Sequence, residues 1–162
     1  QAWSPPPEGC IKINIDAATS ATQAAIAVVA RDYRGVPLKV WARLIKNTNP
    51  LQAETEALLW AAKLAKVERW TKVLFEGDAK ICFDAINSLN QSYPWCIRTQ
   101  LLNTVTLSDC FLSCSFVWVS RNCNGVAHQV ANFSLRSKLA FVFLLDNLPP
   151  ALLAVCKADY PF

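Results

Sequence analysis

Segment 10–16 of the chain, CIKINID, alternates between apolar and polar residues without a break. This period of two constrains the fold strongly, since successive side chains of a β-strand point to opposite faces of a sheet. The three isoleucines predict one buried face, and Lys12, Asn14 and Asp16 lie on the opposite one. An acid therefore ends the predicted strand on its polar face.

The next two apolar runs extend this strand into a meander. They cover residues 24–30 and 36–45, and the turn-forming sequence DYRG at 32–35 separates them. Apolar runs joined by so short a turn pair as an antiparallel hairpin. The sequence thus predicts that the chain opens with three consecutive antiparallel strands.

The hydrophobic period changes at Asn49-Pro50, where apolar and small residues begin to recur every three or four positions. This spacing predicts a helix over about 50–68, with Asn49 as its N-cap and Pro50 at its first position. The later predicted elements are a strand at 72–76, helices at about 79–89 and 94–109, a strand at 115–120, a helix at 124–139 and a short helix at about 150–157. The order β-β-β-α-β-α-α-β-α predicts an α/β fold, a five-stranded mixed sheet with helices on its faces.

Length and composition favour one folded domain. The chain has 162 residues, of which 53% are hydrophobic and 17% charged, and this excludes a disordered segment. We expect a linker or N-terminal extension at 1–9, the domain at 10–140 and a C-terminal tail packed on the domain at 141–162. Because the sequence contains no methionine, we also expect it to be part of a longer polypeptide.

The cysteine pattern and the net charge narrow the class of protein and its expected partners further. Seven cysteines without a C-x-x-C pair, and a single histidine, argue against a disulfide framework and against a structural zinc site. This favours an intracellular setting, nuclear or cytoplasmic. No apolar run reaches membrane-spanning length, so we expect no membrane partner. The net charge of +4 permits a polyanionic partner without requiring one.

Three acids occupy unusual positions. Asp16 and Asp78 end the first and fourth predicted strands, and Glu54 falls in the first predicted turn of the first helix. Each has an ordinary explanation, as a turn residue, a helix cap or a partner for the helix dipole. Together they predict convergence, because neighbouring strands lie about 4.8 Å apart and a helix on the sheet can reach the same edge. Carboxylates so close repel unless protons or cations hold them, and Mg²⁺ prefers such oxygen ligands.

The same acids fall within a series of motifs that resembles a known family. In chain order the motifs are WSPP with Gly9, KINID at 12–16, VARD at 29–32 with Gly35, AE at 53–54, EGD at 76–78 and NGVAHQVA at 124–131. Their order and spacing resemble the ribonuclease H family, and most closely its plant retroelement-derived, reverse-transcriptase-like branch. The resemblance spans nearly the whole chain.

This resemblance implies a ribonuclease H-like fold and an endonuclease that hydrolyses the RNA strand of RNA–DNA hybrids. The family uses two Mg²⁺ ions and leaves a 3′-hydroxyl and a 5′-phosphate. By position, Asp16 would bind both metal ions, Glu54 one of them, and Asp78 the other. The expected partner is therefore an RNA–DNA hybrid or another nucleic acid.

The sequence departs from the family's pattern where a fourth acid is usual, since it has His128 there. This histidine is a candidate catalytic residue, because imidazole transfers protons near neutral pH, and it makes Mn²⁺ an alternative cofactor. Ala17 replaces a usual glycine, and segment 87–97 lacks the basic residues with which some relatives hold the hybrid. These departures keep a second hypothesis open, a nucleic-acid- or protein-binding module with weakened catalysis. A 3′–5′ exonuclease ranks third, since Ala18 stands where such relatives usually carry glutamate.

Six further polar side chains are predicted to contact nucleic acid. Amides near Glu54 can hydrogen-bond to base edges or 2′-hydroxyls, and cations on the second and third strands can contact phosphates. The predicted contacts are Asn47, Asn49, Gln52, Asn124, Arg31 and Arg43. Loop capping explains the two asparagines before Glu54 equally well, and a solvated sheet face explains the basic residues.

Overall fold

Six strands and five α-helices make up the part of the chain that the computed structural model describes, residues 1–46 and 49–162. The strands are β1 (Ile11–Thr19), β2 (Gln23–Arg31), β3 (Pro37–Lys46), β4 (Lys72–Gly77), β5 (Ser113–Trp118) and β6 (Phe141–Phe143). The helices are α1 (Pro50–Val67), α2 (Lys80–Asn87), α3 (Arg98–Ser108), α4 (Gly125–Ser137) and α5 (Pro150–Asp159). Short 3₁₀ turns lie at Trp95–Ile97, Arg121–Cys123 and Leu145–Asn147.

The strand order places β1 in the interior of the sheet, as β5-β4-β1-β2-β3-β6. The first three strands form the predicted antiparallel meander, in which Ile13 is opposite Ala30. On its other side β1 pairs in parallel with β4, where Ile13 is opposite Phe75, and β4 pairs in parallel with β5. The carboxyl ends of β1, β4 and β5 therefore meet at one edge of the sheet.

Helices cover both faces of the sheet. On one face α1, α2 and α3 pack on the isoleucines of β1 in a core that includes Leu58. On the other face α4 and α5 bury a smaller core around Val29 and Val130. The polar face of β1 is buried as well, with Asn14 and Asp16 both 0% exposed. Because a buried polar group costs free energy unless it is hydrogen-bonded, these side chains need partners inside the fold.

The first turn of α1 forms as the sequence predicts. The side chain of Asn49 accepts a hydrogen bond from the backbone N–H of Gln52 at 2.8 Å, and Pro50 takes the first helical position. This cap satisfies a backbone donor that the helix itself leaves unpaired. It also fixes where the helix begins on the sheet, and hence where Glu54 lies.

The chain after α4 adds a sixth strand to the five that were predicted. β6 pairs antiparallel with β3, with Val142 opposite Trp41. Since β6 has only three residues, its local pattern does not separate it from a loop, and its pairing with the edge of β3 defines it. The helix predicted at 94–109 likewise divides into a 3₁₀ turn and α3.

The two terminal segments meet over Arg31, whose side chain is 0% exposed. Its guanidinium lies 2.7 Å from Asp159 and 3.6 Å from the centroid of the Trp3 ring. Trp3 belongs to the segment expected as a linker, yet it is buried and packs against Tyr160. The prediction that Arg31 contacts nucleic acid is wrong, because its charge is paired inside the protein.

All seven cysteines carry free thiols in the structure. Cys82 and Cys156 are buried, one in each of the two cores. None of the helices in residues 1–46 and 49–162 is long and apolar enough to cross a membrane.

Candidate active site

Three carboxylates meet at the edge where the parallel strands end. Asp16 lies in the second half of β1, Asp78 directly follows β4, and Glu54 reaches the same edge from α1. One oxygen of each carboxylate lies within 4.8 Å of an oxygen of the other two. The first turn of α1 contains no acid, and Glu54 follows that turn. The helix dipole therefore does not explain the position of Glu54. The convergence of the three acids is as predicted, and their catalytic role stays a prediction.

Burial raises the pKa of two of these acids. The Asp16 side chain is fully buried, and desolvation raises its pKa above the usual range. The pKa of Glu54 is raised well above its usual value, first by burial and then by the negative charge of Asp16. Oδ1 of Asp16 and Oε2 of Glu54 are buried and accept no hydrogen bond from the described residues. These two oxygens are available to bind a proton or a cation.

The side chains of Arg121 and His128 contact two of the carboxylates. Nε of Arg121 donates to Asp78, and the guanidinium also contacts the ring of His128. Nδ1 of His128 lies 2.9 Å from Oδ2 of Asp16, and the side-chain amide of Asn132 lies 3.0 Å from Nε2. The arginine and the histidine thus face two different acids and touch each other. The positive charge of Arg121 reduces the repulsion that three carboxylates would otherwise exert.

Two buried asparagines, Asn14 and Asn124, form hydrogen bonds on the buried side of the site. Nδ2 of Asn124 donates to the backbone carbonyl of Ile15 at 2.9 Å and to Oδ1 of Asp78 at 3.3 Å. Nδ2 of Asn14 in turn donates to Oδ1 of Asn124 at 3.2 Å. Asn124 is only 1% exposed, so the prediction that it contacts nucleic acid is wrong. Its amide instead orients Asp78 relative to β1.

The remaining predicted contacts lie around the start of α1 and on β3. Asn49 caps α1 by accepting a hydrogen bond from the backbone N–H of Gln52. Its side-chain amide also donates to Gln52 Oε1 at 2.8 Å. Arg43 lies 3.5 Å from Glu56, and its side chain is 38% exposed. Asn47 lies outside the described residues. Contact of Asn49, Gln52 or Arg43 with nucleic acid stays a prediction.

Sequence reasoning missed two residues of the site, Arg121 and Asn14. Arg121 stood in the segment before α4 with no pattern to mark it, since its partner Asp78 is 43 residues earlier in the chain. Asn14 carried a signal that was available, because it is the polar residue two positions before Asp16 on the same strand face. Only the burial of that face makes it part of the site.

Comparison with known proteins identifies the family. Residues 14–134 match the model of the family described as "Reverse transcriptase-like", which is well over half of the chain. The chain belongs to the reverse transcriptase-like family. The match contains all three acids as well as Arg121 and His128. A search of curated proteins found no match to this reverse transcriptase-like chain.

Solved structures show that this reverse transcriptase-like chain has the ribonuclease H fold. RNase H1 from the halophilic archaeon Halobacterium salinarum is similar at a TM-score of 0.74 and 21% identity, covering 79% of this chain and 98% of that one. LC11-RNase H1, solved in complex with an RNA/DNA hybrid, is similar at 0.70 and 19% identity, covering 79% and 98%. The N-terminal RNase H domain of a Mycobacterium tuberculosis protein gives 0.70 and 18%, covering 79% and 94%. The predicted ribonuclease H-like fold is confirmed, with one additional strand.

Proposed function

We propose that this protein is a metal-dependent endonuclease that hydrolyses the RNA strand of RNA–DNA hybrids. The observation that carries the proposal is the cluster of three carboxylates, within 4.8 Å of one another, at one edge of a ribonuclease H fold. A protein of similar fold was solved with an RNA/DNA hybrid bound. The proposed products carry a 3′-hydroxyl and a 5′-phosphate. An intracellular location, nuclear or cytoplasmic, and a place within a longer plant retroelement-derived polypeptide belong to the same proposal.

The donor set fits hard divalent cations. Asp16, Glu54 and Asp78 offer only oxygen ligands, and two of these oxygens are buried without a donor. Such oxygens are the preferred ligands of Mg²⁺, and we propose that two Mg²⁺ ions bind here, with Mn²⁺ as an alternative. Bound metal ions would supply an activated water and charge stabilisation for the leaving oxygen. The raised pKa of Glu54 is what a cation would reverse, because positive charge favours the ionised carboxylate.

The other residues of the site prepare it for a phosphodiester. Asn124 holds the Asp78 carboxylate in place from the buried side. Arg121, whose side chain is 55% exposed, places a positive charge at the solvent side of Asp78, where phosphate oxygens would arrive. His128 faces both Asp16 and Arg121, so it can hold or release a proton beside the reacting phosphate.

One observation favours the alternative, a binding module with weakened catalysis. His128 takes the place of a fourth acid and cannot add negative charge for a metal ion, and Arg121 already pairs with Asp78. A metal ion at Asp78 would have to compete with that ion pair. Under this alternative the site holds nucleic acid without efficient hydrolysis.

Cleavage of an end-labelled RNA–DNA hybrid by the purified protein tests the proposal, with Mg²⁺ and Mn²⁺ in parallel. We expect cleavage of the RNA strand by the wild type and none by Asp78→Asn. Asp109→Asn is the matched control, because this exposed acid follows α3 just before β5 begins, at the opposite edge of the sheet from the three carboxylates, and should leave cleavage unchanged. Absence of cleavage by the wild type in both metals would favour the binding module.

A second variant tests the role of His128 in the same assay. His128→Asp should raise Mg²⁺-supported cleavage if the histidine only fills the position of a metal-binding acid. A fall in cleavage would instead assign the imidazole its own function in proton transfer.

A further inference from the structure

Trp118 is an exposed aromatic residue fixed beside a candidate metal ligand. It ends β5, the outermost strand on its side of the sheet, and 45% of its surface is exposed. Its indole N–H donates to the backbone carbonyl of Asp78 at 3.2 Å. This hydrogen bond fixes the orientation of the ring, and it ties the ring to the residue whose carboxylate belongs to the acidic cluster.

The ring lies outside the hydrophobic core. Phe116, two residues earlier and on the same face of β5, stacks on Phe75 at 5.4 Å between centroids, inside the main core. Trp118 continues this face opposite Gly77, the last residue of β4, and 45% of its surface is exposed there. Core filling therefore explains Phe116, and it leaves the exposed surface of Trp118 without a structural role.

Positive charge accompanies the ring. The ammonium of Lys80 lies 5.4 Å from the Trp118 ring centroid, and its carboxylate partner Asp84 is 60% exposed. Such an exposed ion pair is weak, so Lys80 is free to turn towards a phosphate. Arg121 brings a second cation to the adjacent Asp78. An aromatic platform combined with cations is the arrangement with which proteins hold unpaired nucleotides.

We propose that Trp118 and Lys80 form a stacking subsite for one unpaired nucleobase next to the acidic cluster. The base belongs to the strand whose phosphodiester lies at Asp16, Glu54 and Asp78, and Lys80 contacts the phosphate of that nucleotide. The placement of the strand rests on the proposed function. Within a continuous duplex the faces of each base are covered by its neighbours, so only an unpaired base can stack on the ring. The preferred substrate is therefore a hybrid whose RNA strand continues as a single-stranded extension.

Fluorescence anisotropy of labelled oligonucleotides tests the subsite without cleavage, in a metal-free buffer containing EDTA. The probes are a blunt RNA–DNA hybrid and the same hybrid with a short single-stranded RNA extension at its 5′ or its 3′ end. For the wild type, we expect an extension at one of the two ends to tighten binding about fivefold or more. The same extension built from abasic nucleotides should give no gain, because it keeps the phosphates and removes the bases.

The variants separate stacking from general stability. Trp118→Leu should lose the gain from the extension, measured against the affinity of the same variant for the blunt hybrid. Trp118→Phe should keep part of the gain, because it retains an aromatic ring without the indole N–H. Tyr33→Ala is the matched control: Tyr33 is 43% exposed with Arg34 5.7 Å from its ring, but it lies at the opposite edge of the sheet. An equal gain in Trp118→Leu, or an equal gain from the abasic extension, would overturn the proposal.

The binding result and the cleavage result can fail independently. A base-dependent gain that requires Trp118, in a protein that does not cleave hybrid, would keep the subsite and refute the endonuclease. Cleavage of blunt hybrid with no gain from either extension would keep the endonuclease and refute the subsite.

Discussion

Replacing Arg31 with methionine should destabilise the protein severely. The Arg31 side chain is completely buried, and its guanidinium lies 2.7 Å from Asp159, which is itself 13% exposed. It also lies over the Trp3 ring and donates to Oδ1 of Asn14 at 3.3 Å. Removing one partner of a buried ion pair leaves the other charge uncompensated, which costs about 3–5 kcal/mol. For a chain of this size that loss lowers the melting temperature by about 6–20 °C.

Urea unfolding followed by tryptophan fluorescence measures this loss. Arg34→Met is the matched control, because this arginine lies three residues later, is 61% exposed and pairs with Asp32, so its removal should cost far less stability. The double variant Arg31→Met, Asp159→Leu should recover much of the stability, since it removes the stranded carboxylate.

Two outcomes would refute this reasoning. One is a loss in Arg31→Met no larger than in Arg34→Met, which would mean that the ion pair contributes little. The other is a double variant no more stable than the single one, which would place the cost in lost packing on Trp3 and not in the uncompensated charge of Asp159.

Two further predictions follow from raised pKa values. Because the pKa of Glu54 is higher in the folded than in the unfolded state, ionisation of this residue weakens the fold as pH rises from about 4.3 through the folded-state pKa. Metal-free Glu54→Gln should therefore be more stable than the wild type above that range and similar below it. Urea unfolding in EDTA at several pH values measures this, and a constant difference in unfolding free energy between the two proteins at all pH values would contradict it. Burial raises the pKa of Cys82 to about 12, so this thiol should be alkylated by iodoacetamide far more slowly than exposed Cys96. Mass spectrometry after timed labelling checks the order, and equal rates would count against it.

Local patterns predicted the elements whose signals are contained in a few neighbouring residues. The alternation in 10–16 predicted β1, and Asn49-Pro50 predicted the start of α1 to the residue. β6 has three residues and depends on its pairing with β3, so no local signal could separate it from the apolar run 139–145 that contains it. Elements defined by pairing are the ones that sequence reasoning missed.

The candidate site divides in the same way. The three acids were predictable because parallel strands bring their carboxyl ends to one edge, and that rule needs only the order of the elements. The burial of Arg31 was not predictable, because it depends on an ion pair with Asp159, which is 128 residues away in the chain. Asn124 was misjudged for the same reason, since its partner Asn14 is 110 residues away. Whether a polar residue faces solvent or a buried partner is decided by contacts between distant segments.

The polar face of β1 shows what those distant contacts do for the site. Each of its three polar side chains is buried and has a specific partner, the pairs being Lys12 with Glu76, Asn14 with Asn124, and Asp16 with His128. The middle pair links the termini to the acids, because Asn14 accepts hydrogen bonds from both Trp3 and Arg31, while Asn124 donates to Asp78. The alternating polar residues of β1 therefore belong to a buried polar network and not to a solvated face. A perturbation at Arg31 should reach Asp78 through two asparagine amides, even where the fold survives it.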